Sequence, residues 1–163
     1  MEILEIHKEQ LMEYRSFLLR GLKEHPENFR ISVEDEWNAP FPTQSRPDSF
    51  TLAAIQDGKF IGVVSFEREG ENRIKIRHKG LLFRMYVAQE FSGKGVGKAL
   101  IHELLEKAKK LPNMEQVNLT VVTTNLAAKS LYGKFGFKTY GIEKNAHKTG
   151  NLYADEESMV RFF

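Results

Sequence analysis

The chain has 163 residues, a formal net charge of +2 and no cysteine. That length fits one domain, residues 1–163, with a core of its own. The near-balanced charge leaves no electrostatic footprint for nucleic acid, and the missing thiols exclude disulfides, thiolate metal sites and a cysteine nucleophile.

No apolar run approaches the roughly 18 residues needed to span a bilayer, so no membrane partner is expected. Met1–Glu5 is acidic and lacks the apolar stretch of a signal peptide. A soluble cytoplasmic protein is the expectation.

In chain order, residues 2–7 predict a short strand. Residues 8–23 predict an amphipathic helix with Leu11, Tyr14, Leu18 and Leu22 on one face. His25-Pro26 ends it. Ser32 with Asp35 forms an imperfect capping box before a short helix over 33–37, and Pro40, Pro42 and Pro47 mark an irregular loop. Residues 49–56 and 59–68 predict strands joined at Asp57-Gly58, a strong hairpin signal. A long strand is expected over 74–87, bulged at Gly80. A helix to about Leu111, a turn at Pro112-Asn113, a strand at 117–122 and a helix from Asn125 follow. Residues 137–144 and 152–162 predict a final antiparallel pair. Lys107, Lys109 and Lys110 read as a solvated helix face, supported by Glu103–Lys107 and Glu106–Lys110 pairs.

The chemistry concentrates between Leu81 and Leu105. An apolar strand ending at Met85, Tyr86 and Val87 leads through a short polar loop into Ser92, Gly93, Lys94, Gly95, Val96, Gly97 and Lys98, and then directly into a helix. Glycines let the backbone turn tightly and approach a ligand. The first helical turn offers unpartnered N–H groups and the positive end of the dipole, so an anion belongs there. The dinucleotide fingerprint G-x-G-x-x-G does not match the spacing, and the nucleotide P-loop lacks both its earlier glycine and its hydroxyl, because Ala99 follows Lys98.

The loop resembles the acyl-CoA pyrophosphate loop of the GCN5-related N-acetyltransferase superfamily, Arg/Gln-x-x-Gly-x-Gly/Ala, with Ser92 where Arg or Gln is usual. Asn125 to Phe137 is similar to that superfamily's N-x-x-A-x-x-L-Y-x-x-x-G-F segment. Locally, Asn125 is a good N-cap, Ala127, Leu131 and Phe135 share a helical face, and Gly136 is a natural stop.

The resemblance, which covers about residues 50–140, implies an α/β (α+β) fold: a mixed, mostly antiparallel central sheet with a splayed parallel strand pair and helices on both faces. It implies acetyl-CoA as co-substrate, held by Met85, Tyr86 and Val87 along a strand edge, by the loop from Ser92 to Lys98, and by Asn125 and Tyr132. Tyr132 matches the superfamily's tyrosine and is expected to protonate the leaving thiolate, with core packing as the plainer alternative. The backbone near Val87 is expected to face the thioester oxygen. Lys129 is either a phosphate contact or solvated.

For the base, Glu36 is the leading candidate, on a segment that usually walls the acceptor site, with His78, Tyr86, Glu90 or water as alternatives. Residues 153–159 resemble the Y-x-D-E-x-x-M ending of superfamily members that acetylate small amines. Their acids either steer a cationic amine or are plain surface charges on an edge strand. No metal site is expected, since nothing clusters with ligand spacing. The acceptor is expected to be a primary amine of a small molecule, with a protein N-terminus or lysine as the less favoured alternative, and a homodimer is left open. The alternative reading is a non-catalytic acyl-CoA-binding module of the same fold.

Overall fold

The computed structural model describes all residues from Met1 to Phe163. Seven strands form one sheet: β1 (Glu2–Ile6), β2 (Phe50–Gln56), β3 (Lys59–Arg68), β4 (Lys79–Val87), β5 (Gln116–Val122), β6 (Lys138–Thr149) and β7 (Leu152–Phe162). Their spatial order is β1-β2-β3-β4-β5-β7-β6. Every neighbouring pair is antiparallel except β4 and β5.

Four α-helices accompany the sheet: α1 (Leu11–Glu24), α2 (Val33–Trp37), α3 (Val96–Lys109) and α4 (Leu126–Lys134). Helix α1 buries Tyr14, Leu18 and Leu22 with Ile6, Ala53, Val63 and Tyr86 on one face of the sheet. Helix α3 buries Leu100, Ile101 and Leu104 with Phe66, Val117 and Leu119 on the other, where Tyr132 and Phe137 also pack. The alternation of side chains along each strand assigns residues to these two faces. The mixed sheet with one parallel pair and helices on both faces is the fold the resemblance implied.

Several local expectations change; among them, β6 runs on to Thr149 and α1 begins at Leu11 after a 3-10 turn over Lys8–Gln10. Strand β4 begins at Lys79 rather than at residue 74. The preceding residues are tied into turns by Ile76 N–H and Arg77 N–H, both donating to Arg73 C=O at 3.0 Å. Gly80 is not bulged; it pairs regularly with Arg68 and Val117. It is glycine because a Cβ there would lie 2.3 Å from two carbons of the Phe66 ring. Phe66 is fully buried and cannot yield, so Gly80→Ala is expected to cost about 1–3 kcal/mol of stability, measured by urea unfolding.

The β4 irregularity sits further along. Val63 pairs with Tyr86 and Ser65 with Phe83, so β4 spends one more residue than β3 over the same span. Within that span Arg84 adopts a left-handed φ of 51°. Lastly, Lys107 is not simply solvated: it pairs with Glu5 and lies 5.0 Å over the Phe50 ring. On α4 the inward face is Ala128, Leu131, Tyr132 and Phe135, while Ala127 is exposed.

Candidate active site

The site begins where two parallel strands part. Strands β4 and β5 pair only at Lys79–Gln116, Gly80–Val117 and Leu81–Asn118. Beyond that point β5 stays paired with β7 through Val122, and β4 stays with β3 through Val87. The extra residue at Arg84 supplies the bend, because a bulge kinks its strand and increases the local twist. The facing edges of residues 82–87 and 119–122 therefore lack strand partners. An extended amide-bearing molecule laid between them would recover those hydrogen bonds as an added strand does.

At the open end of this gap lies the glycine loop. Gly93 and Gly95 take left-handed φ values of 73° and 84°, where a Cβ would be strained. Gly95 is the N-cap of α3; no side chain caps the helix and no acidic residue occupies its first turn. The amides of Gly93, Gly95, Val96, Gly97 and Lys98 donate to no backbone acceptor and no side chain. Such a turn leading into a bare helix N-terminus has the free amides and dipole that favour an anion. At Gly97 an added Cβ would be 3.0 Å from Leu131 and 3.2 Å from Met85, so this glycine lets α3 close on both β4 and α4. Lys94 lies 5.3 Å over the Phe91 ring, leaving its ammonium beside the turn.

Tyr132 reaches the gap from α4. Its hydroxyl donates to Met85 Sδ at 3.6 Å, and its ring packs edge-on against Phe137. Burial pushes the phenol up to about 12, so it holds its proton throughout the neutral range. Asn125 Oδ1 accepts from Ala128 N–H at 3.1 Å, which is the capping role; its side-chain amide donates to no protein atom and stays available. Lys129 pairs with Glu157 and donates to Thr123 C=O rather than pointing freely at the glycine turn.

The structure thus gathers Met85, Val87, the loop of residues 93–98, Asn125 and Tyr132 around one gap. Ser92 adjoins the glycine turn, but its hydroxyl makes no hydrogen bond. The Tyr86 side chain lies on the α1 face, where its hydroxyl donates to Glu24 at 2.6 Å and its ring packs on Phe17.

Of the candidate bases, His78 immediately precedes β4, at the end away from the glycine loop, about 30 Å along a strand of that length. Glu90 is exposed and paired with Arg20 at 2.6 Å, which holds its carboxyl down to about 2. It is a weak base at neutral pH. Glu36 is completely buried on the α1–α2 side, 3.0 Å from Arg84 Nη2. Burial raises its pKa above the usual carboxylate range, against the opposing pull of Arg84 and Arg15. Tyr132 and Glu36 lie on opposite faces of the sheet, and Glu36 has no exposed surface with which to meet an amine.

The terminal hairpin differs from expectation. Strand β7 is interior and β6 is the edge. Asp155 pairs with Lys144 at 2.6 Å, Glu156 with Arg30 and with His147 at 2.7 Å, and Glu157 with Lys129 and, at 2.8 Å, Thr139. Burial pushes the Glu156 carboxyl up, but its bonds to Arg30 and His147 outweigh that and hold it low. None of the three acids is free to attract a cation.

Sequence reasoning also missed a buried polar group at Tyr14, Arg15, Glu36 and Arg84. Its one signal was an arginine inside the apolar run Leu81–Val87. No helix is long and apolar enough to cross a membrane, and no cluster of potential metal ligands occurs.

Known proteins resemble this chain in sequence and in fold. The chain is 33% identical over 98 residues to N-acetylaspartate synthetase of Xenopus tropicalis, covering 60% of this chain and 34% of that protein. It therefore spans about a third of that relative's length. It is 28% identical over 116 residues to L-amino acid N-acetyltransferase AaaT of Escherichia coli, covering 71% of this chain and 70% of that one. A GNAT-family acetyltransferase structure from Streptococcus pneumoniae superimposes with a TM-score of 0.83 at 25% identity, covering 99% of each chain. A match to the acetyltransferase (GNAT) family extends over residues 5–137, from β1 through α4, and the chain belongs to that family.

Proposed function

We propose that this chain is an N-acetyltransferase that moves the acetyl group of acetyl-CoA to a primary amine of a small molecule, by direct attack in a ternary complex. The observation that carries this reading is the continuity of three features. A cradle of free amides suits a pyrophosphate, a strand-sized gap suits the amide-bearing pantetheine arm, and a protonated tyrosine stands beside that gap.

In this reading the loop amides of residues 93–98 hold the phosphates, and the free edge at Met85 and Val87 aligns the arm and polarises the thioester oxygen. The neutral amine attacks the carbonyl carbon, the carbon–sulfur bond breaks, and Tyr132 gives its proton to the departing thiolate. The amine's own proton leaves to water, since no base candidate faces the gap, and a solvent proton then restores the Tyr132 phenol. The relatives named for amino-acid acetylation support a small-molecule acceptor.

A calorimetric titration with acetyl-CoA and with CoA, followed by an amine screen that detects released thiol, tests the proposal. Binding at about micromolar Kd together with thiol release is expected; absence of both overturns it. Ser92, whose hydroxyl braces nothing in the loop, favours the second reading of a CoA-binding module without turnover. Binding without thiol release from any amine would select it.

A further inference from the structure

Resting on the proposed acetyl transfer, we infer that the acceptor amine also carries a carboxylate, received by Arg84 together with Arg15 and Tyr14 after α2 withdraws Glu36. The geometry starts at the β4 bulge. Arg84 is a non-glycine residue in left-handed conformation, a strain that persists where the surroundings over-determine it and that recurs at ligand clamps. The extra residue turns this arginine toward α1 and α2, next to the strand edge that lines the gap.

The charges there do not balance. Arg84 and Arg15 both act on Glu36, and neither pairs with any other carboxylate. Arg15 spends one guanidinium nitrogen, Nη2, on Ala39 C=O. Three buried donors lack a well-formed hydrogen bond: Arg15 Nε, Arg84 Nη1 and Tyr14 Oη, the last within reach of the Arg84 guanidinium and the Ser65 hydroxyl. Unpaired buried polar groups are uncommon in folded proteins and call for an explanation. An added carboxylate, with two oxygens and about four acceptor positions, would serve all three. Arginine's planar fork matches such a group in two-point fashion.

Glu36 now supplies the only carboxylate on Arg84. Both its oxygens are buried without a well-formed hydrogen bond, although one lies 3.0 Å from the guanidinium. It belongs to α2, a helix of five residues bounded by Asn38 and the proline-containing loop, with the neighbouring Trp37 exposed. Glu36 thus occupies Arg84 as a placeholder, and a substrate carboxylate competes for the same fork. The acids of the terminal hairpin add nothing in the opposite direction, because each is already neutralised. Arg84 immediately precedes Met85, the β4 residue that meets Tyr132, so a carboxylate on Arg84 is held one residue along the strand from the gap.

The experiment measures kcat/KM by thiol release for the L-amino acids, each against its own amide, on wild type, Arg84→Gln, Arg84→Lys and Glu36→Gln, with thermal melts and acetyl-CoA titrations on every variant. Wild type is expected to prefer the acid over the amide by about 100-fold or more, as sites that bond a substrate polar group do. Arg84→Gln should collapse that ratio toward one, and Arg84→Lys should recover part of it. Glu36→Gln should lower KM for the acids roughly threefold or more by removing the competitor.

Equal rates on acid and amide overturn the inference, as does an Arg84→Lys protein that folds, binds acetyl-CoA and keeps the full ratio. A screen in which only neutral or cationic amines react overturns it while leaving acetyl transfer intact. No acetylated amine at all overturns it too, and acetyl-CoA binding then decides whether the proposed function falls with it.

Discussion

Replacing Gly95 with glutamate is expected to weaken acetyl-CoA binding by more than about 100-fold, equivalent to nearly 3 kcal/mol, while leaving the protein folded. A Cβ at this position meets nothing within 4 Å, so no core contact is disturbed. The left-handed φ of 84° imposes strain of about 1–2 kcal/mol on any side chain, partly offset because a carboxylate is favourable at a helix N-terminus. That compensation is the source of the large binding effect. The new carboxylate settles where the ligand's phosphates are proposed to lie, and it repels them. Calorimetry for Kd with a thermal melt as control separates the two consequences. An unchanged Kd in a folded variant would place the phosphates somewhere other than the amides of residues 93–98.

Tyr132→Phe is expected to lower kcat by about 100- to 10,000-fold, the usual contribution of a positioned acid, with acetyl-CoA affinity held within about threefold. Little stability should be lost, since the only partner of the hydroxyl is the weakly accepting sulfur of Met85. The pH profile provides a second check. Burial pushes the phenol up to about 12, so the protonated, active form persists as pH rises and is lost only as pH passes the raised value. Wild-type kcat should therefore show no alkaline decline from this group below about pH 10. A tyrosine-dependent decline near pH 8–9, absent in the phenylalanine variant, would contradict the burial effect. An unchanged kcat would remove the acid role and leave Tyr132 as packing against Phe137.

Much of this site was legible because its determinants are local. Glycines at 93, 95 and 97 after an apolar strand dictate a left-handed turn and a bare helix end without help from the rest of the chain. Asn125 caps the helix that carries Tyr132 through its neighbour Ala128, an interaction spanning three residues. The hairpin at Asp57-Gly58 and the helix over 33–37 were equally readable from short-range chemistry.

What could not be read depends on distant partners. Glu36 stood out as a carboxylate on an acceptor wall, but its burial depends on Arg84, 48 positions later, which reaches it at 3.0 Å. The acids at 155–157 read as surface charge because their counter-ions come from residues 30, 129, 144 and 147. The bulge was expected at Gly80, where glycine in a strand is a reasonable signal. There, however, glycine makes room for Phe66, and the register is spent at Arg84 instead.

The sequence by itself determined the family and the glycine turn with its free helix end, since both rest on local residues whose backbone preferences act within a few positions. Tertiary structure alone decided the shape of the gap and the charge pairing of Glu36 with Arg84. A strand's bulge is set by the register it keeps with its neighbours, and a buried charge takes its meaning from the partner that folding brings beside it.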